Sequence, residues 1–80
     1  MMSREEVFEG LKEVLSIIRP NTDLSVVTEK TELVRELGID SLSMMLLSLA
    51  VEEKFKMRFD PSAPAPTTVG QVIDAVLAAL

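Results

Sequence analysis

Gly38-Ile39-Asp40-Ser41-Leu42 opens the segment that decides the fold. The residues that follow are mostly apolar and predict a helix from Asp40 or Ser41 to about Lys56. Asp40 suits the N-cap, where its carboxylate accepts one of the first free N–H groups. Gly38 suits the left-handed position that ends a preceding turn. A helix N-terminus carries unpaired N–H groups and the positive end of the helix dipole, so it favours a phosphate. A phosphate ester on Ser41 Oγ is therefore well placed, and the position suggests a serine that is modified, not one that performs chemistry. The plainer alternative is that Asp40-Ser41 is a capping element and nothing more.

The helix after Ser41 carries two apolar stripes. At about 100° per residue, Met44, Leu47, Val51 and Phe55 share one side. Leu42, Met45, Leu46 and Leu49 lie roughly opposite, continued by Glu52 and Glu53. A surface helix of a small bundle needs one stripe for the core. The Met44 side ends in an aromatic residue and is expected to face inward. The Leu42 side ends in carboxylates and is expected to be an exposed docking surface, with adaptable methionine among its members. Burial of both stripes in a central helix is the competing expectation.

Outward from this segment, Ser3-Arg4-Glu5-Glu6 reads as a capping box. Val7, Leu11, Val14, Leu15 and Ile18 then recur at helical spacing, which predicts a helix over Ser3–Ile18, stopped by Pro20. Residues 19–40 form a long connection that must be pinned to the core, through Leu24, Val26, Val27, Leu33, Val34, Leu37 and Ile39. Glu32–Glu36 suits a short helical turn. Three prolines in Pro61-Ser62-Ala63-Pro64-Ala65-Pro66 allow at most one turn after Asp60. Thr68-Val69-Gly70-Gln71 reads as a second capping box, followed by a stripe of Val69, Val72, Ile73, Val76, Leu77 and Leu80. The expected fold is all-α: a small bundle of three to four helices with a long first loop and a third helix short or absent. Residues 1–80 read as one domain, without repeats.

Composition narrows the chemistry. Thirteen acidic and eight basic residues give a net charge of −5, which makes nucleic acid a poor partner and a basic protein surface a better one. The chain has no cysteine and no histidine, so disulfides, thiolate metal sites, cysteine nucleophiles and a Ser-His-Asp triad are excluded. No base accompanies Ser41 for nucleophilic catalysis, and the expectation is that the chain is not an enzyme. The charged start, Met1-Met2-Ser3-Arg4, is unlike a signal peptide, and Leu42–Val51 is too short to span a bilayer. The expected setting is cytoplasmic.

Across nearly its whole length the chain resembles the acyl carrier proteins. The resemblance rests on Leu33-Val34-Arg35-Glu36-Leu37-Gly38-Ile39-Asp40-Ser41-Leu42, on Ala50-Val51-Glu52-Glu53-Lys54-Phe55, and on Thr67-Thr68-Val69-Gly70 at the right distance. It implies that Ser41 carries 4′-phosphopantetheine, transferred from coenzyme A by a phosphopantetheinyl transferase with Mg2+. The arm's thiol, which the chain itself lacks, would hold acyl groups as thioesters for ketosynthases, acyltransferases or ligases. The resemblance also implies that Asp40 and Leu42 flank the attachment point. Leu42, Met45, Leu46, Leu49, Glu52 and Glu53 would form the recognition face of a monomeric carrier. Met44, Leu47, Ser48, Val51 and Phe55 would form the inner side, where a cavity can shelter an acyl chain.

The departures from that pattern are informative. Carriers of primary fatty acid synthesis often have acids where this chain has Ser43 and Leu46. Past the helix they are commonly acidic, where this chain has Lys54, Lys56 and Arg58. The docking face is thus greasier and less negative, which points to a discrete carrier for a polyketide, aryl polyene or unusual fatty acyl pathway. Carriers of amino acids or peptides more often show Gly-Gly before the modified serine, and Leu37-Gly38-Ile39 argues against them. An unmodified helical interaction module is the remaining alternative.

Overall fold

The computed structural model describes residues 2–80; Met1, the first residue of the charged N-terminal stretch, lies outside them. Three α-helices follow in order: α1 (Arg4–Ile18), α2 (Ser41–Phe55) and α3 (Val69–Ala79), with one 3-10 turn at Leu24–Val26. The architecture is the expected small all-α bundle. No helix of the described residues is long and apolar enough to cross a membrane.

Each helix starts where side chains satisfy its free N–H groups. At α1 the capping box is complete: Ser3 Oγ accepts from Glu6 N–H at 3.1 Å, and Glu6 Oε1 accepts from Ser3 N–H at 2.8 Å. At α3 only half of the expected box forms. Thr68 Oγ1 accepts from Gln71 N–H at 3.2 Å, but the Gln71 side chain takes the N–H of Thr67, not that of Thr68. The Thr67 hydroxyl donates to the same oxygen, so this acceptor is shared one residue upstream. Helix α2 ends at Lys56, whose left-handed backbone (φ 54°) turns the chain and lets Met57 bury itself.

Helix α1 packs against both α2 and α3. Its close approach to α2 depends on Gly10, where a Cβ would lie 2.7 Å from Phe55 Cζ. Val7, Leu11, Leu47, Val51, Ile73 and Val76 make the centre of the core. Ile18 is only partly buried, and Leu80 lies beyond α3 and is exposed.

The long connection is pinned, though by fewer residues than expected. Val27, Leu33, Leu37 and Ile39 are buried and Leu24 packs against them. Val26 and Val34 are exposed: Val26 precedes the buried Val27 and Val34 follows the buried Leu33, and within each turn the neighbour takes the inward direction. Backbone hydrogen bonds then clip the connection to the start of α3. Leu33 N–H donates to Thr67 O, Val69 N–H to Thr31 O and Gly70 N–H to Glu29 O, at 2.8–3.0 Å. Arg4 reinforces this clip from α1 with ion pairs to Glu29 and Asp74, both at 2.7 Å. The proline-rich segment makes a single turn, with Ala63 N–H on Asp60 O and Ser62 N–H on Asp60 Oδ1. Among the described residues no further helix intervenes between α2 and α3.

Candidate functional site

The clipped segment delivers the Asp40-Ser41 pair to the head of α2. Ile39 is buried and its N–H donates to Leu33 O at 3.1 Å, which anchors the chain one residue before Asp40. Gly38, with φ +66°, turns the backbone at that point in a conformation few other residues adopt without strain. Asp40 is the N-cap: its Oδ1 accepts from Ser43 N–H at 2.8 Å, and its carbonyl accepts from Met44 N–H at 2.8 Å. Ser41 is the first residue of α2 and is exposed. Its hydroxyl plays no part in the cap, which Asp40 supplies.

The N–H of Ser43, then its hydroxyl, hold the Asp40 carboxyl below the ordinary carboxylate range, and the positive charge of Arg19 adds to the effect. Asp23 and Asp60 are lowered by the hydroxyls and N–H groups of Ser25 and Ser62, and Glu6 by the backbone of Ser3. A carboxyl lowered in the folded state stabilises the fold above its unfolded pKa of about 4, and that contribution is lost as pH falls through the folded value. The thermal midpoint is therefore expected to stay level from about pH 7 to about pH 5 and to fall below about pH 4. Asp40→Asn keeps the capping oxygen but not the charge, and should make the acid-side fall shallower. Circular dichroism melts at stepped pH check this; identical slopes for both proteins would show that the Asp40 charge does not matter.

The outward face of α2 is as apolar as its sequence pattern requires. Leu42 is 66% exposed, Met45 61%, Leu46 49% and Leu49 56%. On the opposite side Leu47, Val51 and Phe55 are buried and Met44 is half-buried. Glu53 is exposed beside the stripe. Glu52, on the same side by spacing, is partly exposed and also braces the chain after α2: its Oε2 accepts from Phe59 N–H at 2.8 Å. An isolated helical pattern cannot show this, because the partner N–H comes from the loop.

An open groove of about 790 Å³ runs between α2, the proline-rich segment and α3, lined by Ser48, Phe59, Pro66, Asp74 and Ala75 among others. Of the five α2 residues expected to face a sheltering cavity, only Ser48 lines it; Leu47, Val51 and Phe55 are packed into the core instead. Arg19 was not singled out by the sequence pattern. It is the C-cap of α1, and its Nη2 lies 3.3 Å from where a Cβ of Gly38 would stand. No local motif links residues so far apart in sequence, and only the fold brings them together.

A family model described as "Phosphopantetheine attachment site" matches residues 5–76. Among curated relatives, the "Acyl carrier protein" of Thermotoga maritima is 34% identical over 77 residues, covering 95% of this chain and 94% of that one. The protein of the same name from Wolinella succinogenes is 37% identical over 68 residues, covering 84% of this chain and 88% of its own. That of Acidothermus cellulolyticus is 34% identical over 78 residues, with 94% and 89% covered.

Proposed function

The chain belongs to the phosphopantetheine attachment site family, and we propose that it is a discrete acyl carrier of a specialised pathway in which Ser41 bears the prosthetic group. The observation that carries this reading is the position of Ser41, an exposed hydroxyl at the head of α2 that has no duty in the cap. The donor set fits a phosphodiester: the free first-turn N–H groups, the positive helix end and a nearby arginine. The family's cofactor is 4′-phosphopantetheine. When bound, it supplies the thiol on which acyl groups travel as thioesters.

The chain's own residues hold and present that group. Asp40 keeps the first turn of α2 wound, and Gly38 and Ile39 set the direction from which the chain enters it. Leu42, Met45, Leu46 and Leu49, with Glu53 at the far end, form the face on which a transferase and acyl-processing enzymes dock. Residues 1–80 act as one carrier domain, monomeric and cytoplasmic, that is worked on by enzymes and is not one itself. The pathway is a fatty acyl, polyketide or aryl polyene type of synthesis.

The test of the carrier role is intact-protein mass spectrometry after incubation with coenzyme A, Mg2+ and a broad-specificity transferase. A gain of one phosphopantetheine is expected. No gain on folded protein with two unrelated transferases would sink the reading in favour of an unmodified interaction module.

The apolar character of the docking face supports a specialised partner. Leu46→Glu places a carboxylate at the centre of that face. It is expected to raise the acylation rate by basic-patched fatty acid enzymes on the order of a few-fold, mainly through faster encounter. An unchanged rate would remove the argument for specialisation while leaving the carrier role intact.

A further inference from the structure

Negative charge accumulates at the head of α2. The carboxylate of Asp40 already occupies the N–H of Ser43. A phosphodiester on Ser41 adds a second anion at the next residue. The helix end offers roughly half a positive charge, and one of its free N–H groups is spent on the cap. That falls short of two negative charges, so a nearby cation has a clear electrostatic role.

Arg19 is the cation the fold brings there. It leaves the C-terminal end of α1 and lays its guanidinium over Gly38, two residues ahead of Asp40. Its charge reaches Asp40. Four other cations are engaged: Arg4 with Glu29 and Asp74, Lys12 with Glu9, Arg35 with Glu32 and Lys54 with Glu13. Among the described residues Arg19, Lys30, Lys56 and Arg58 take part in no such ion pair, and of these four it is Arg19 that the fold lays against Gly38. A groove of about 450 Å³ adjoins it, and among the described residues neither of the two acids that line it, Asp23 and Glu36, forms an ion pair with Arg19. Asp23 Oδ1 accepts from the N–H and hydroxyl of Ser25, and Glu36 Oε2 accepts from Glu32 N–H.

We propose that Arg19 is a positioning residue for the phosphodiester on Ser41, pairing with its anionic oxygens beside the Gly38–Asp40 turn. The inference rests on the reading of Ser41 as the attachment residue. A guanidinium suits the role because its planar fork matches two phosphate oxygens, whereas a lysine offers only a point charge. Held this way, the first bonds of the arm keep one direction relative to the docking face, and the distal part stays free to move.

The experiment is 31P NMR on the phosphopantetheinylated protein, comparing wild type with Arg19→Gln, Arg19→Lys and Lys56→Gln. Lys56 lies at the other end of α2, about 22 Å away along a fifteen-residue helix. The phosphodiester line is expected to move by more than its width in Arg19→Gln, by less in Arg19→Lys, and not at all in Lys56→Gln. The line should also lose most of its dependence on salt in Arg19→Gln. A line that stays in place in both Arg19 variants overturns the inference, and Arg19 is then a solvated surface cation. Should Arg19→Gln loosen the end of α1, Arg19→Lys alone still decides, since it keeps the charge and removes the fork. Absence of any mass gain on the wild-type protein would overturn the carrier reading and this inference together; a mass gain with an unmoved line overturns this inference alone.

Discussion

Ser41→Ala is expected to abolish the gain of one phosphopantetheine completely and to leave the fold intact. The two halves of this result have separate physical causes. Attachment needs a hydroxyl, and alanine has none to offer. Stability is spared because the cap of α2 is built by Asp40 and Ser43 N–H, and Ser41 contributes only its exposed side chain. Alanine at the first helical position is a good helix former, and exposed substitutions of this kind usually stay within about 0.5 kcal/mol. Ser43→Ala is the matching control. It keeps the capping N–H and the Ser41 hydroxyl, so the mass gain should persist. Retained modification in Ser41→Ala would assign the attachment to another hydroxyl. A lost circular dichroism spectrum would instead make Ser41 a structural residue.

The parts of this fold legible in the sequence are those governed by neighbours along the chain. The capping box of Ser3 and Glu6, the N-cap of Asp40, the positive φ of Gly38 and the single turn after Asp60 each depend on contacts within four residues. The two stripes of α2 followed from helical geometry alone, and the exposed values of Leu42 and Met45 agree with it. What stayed illegible depends on contacts between distant segments. Val26 and Val34 are as apolar as Val27 and Leu33, and only the turn geometry decides which of each pair faces inward. The left-handed Lys56 and the burial of Met57 come from the exit of α2, which carries no glycine to announce it. Glu52 lies by spacing on the outward side of α2, and only the fold shows that it also takes the N–H of Phe59. Arg19 reaches the site across the whole first connection.

Leu33→Ala tests whether the site depends on the clipped connection. Leu33 is fully buried and lies outside every helix. Removing a buried leucine costs about 2–5 kcal/mol, from lost transfer energy and the cavity left behind. A domain of this size has only about 4–12 kcal/mol in total, so the loss is a large share. The thermal midpoint is expected to fall by roughly 10 °C or more. Leu42→Ala, on the exposed stripe, should change it little, which separates burial from mere apolarity. The damage from Leu33→Ala should also be local. The backbone of Leu33 donates to Thr67 O at 2.9 Å and accepts from Ile39 N–H at 3.1 Å, so it joins the start of α3 to the residue before Asp40. Amide hydrogen exchange should therefore accelerate at Leu33 and Ile39 beyond what the global loss explains, with the middle of α1 following the global value. Uniform acceleration along the chain would mean that Leu33 stabilises the bundle without specifically holding the approach to Ser41. A melt unchanged from wild type would mean that the connection is held by its hydrogen bonds and the Arg4 ion pairs alone.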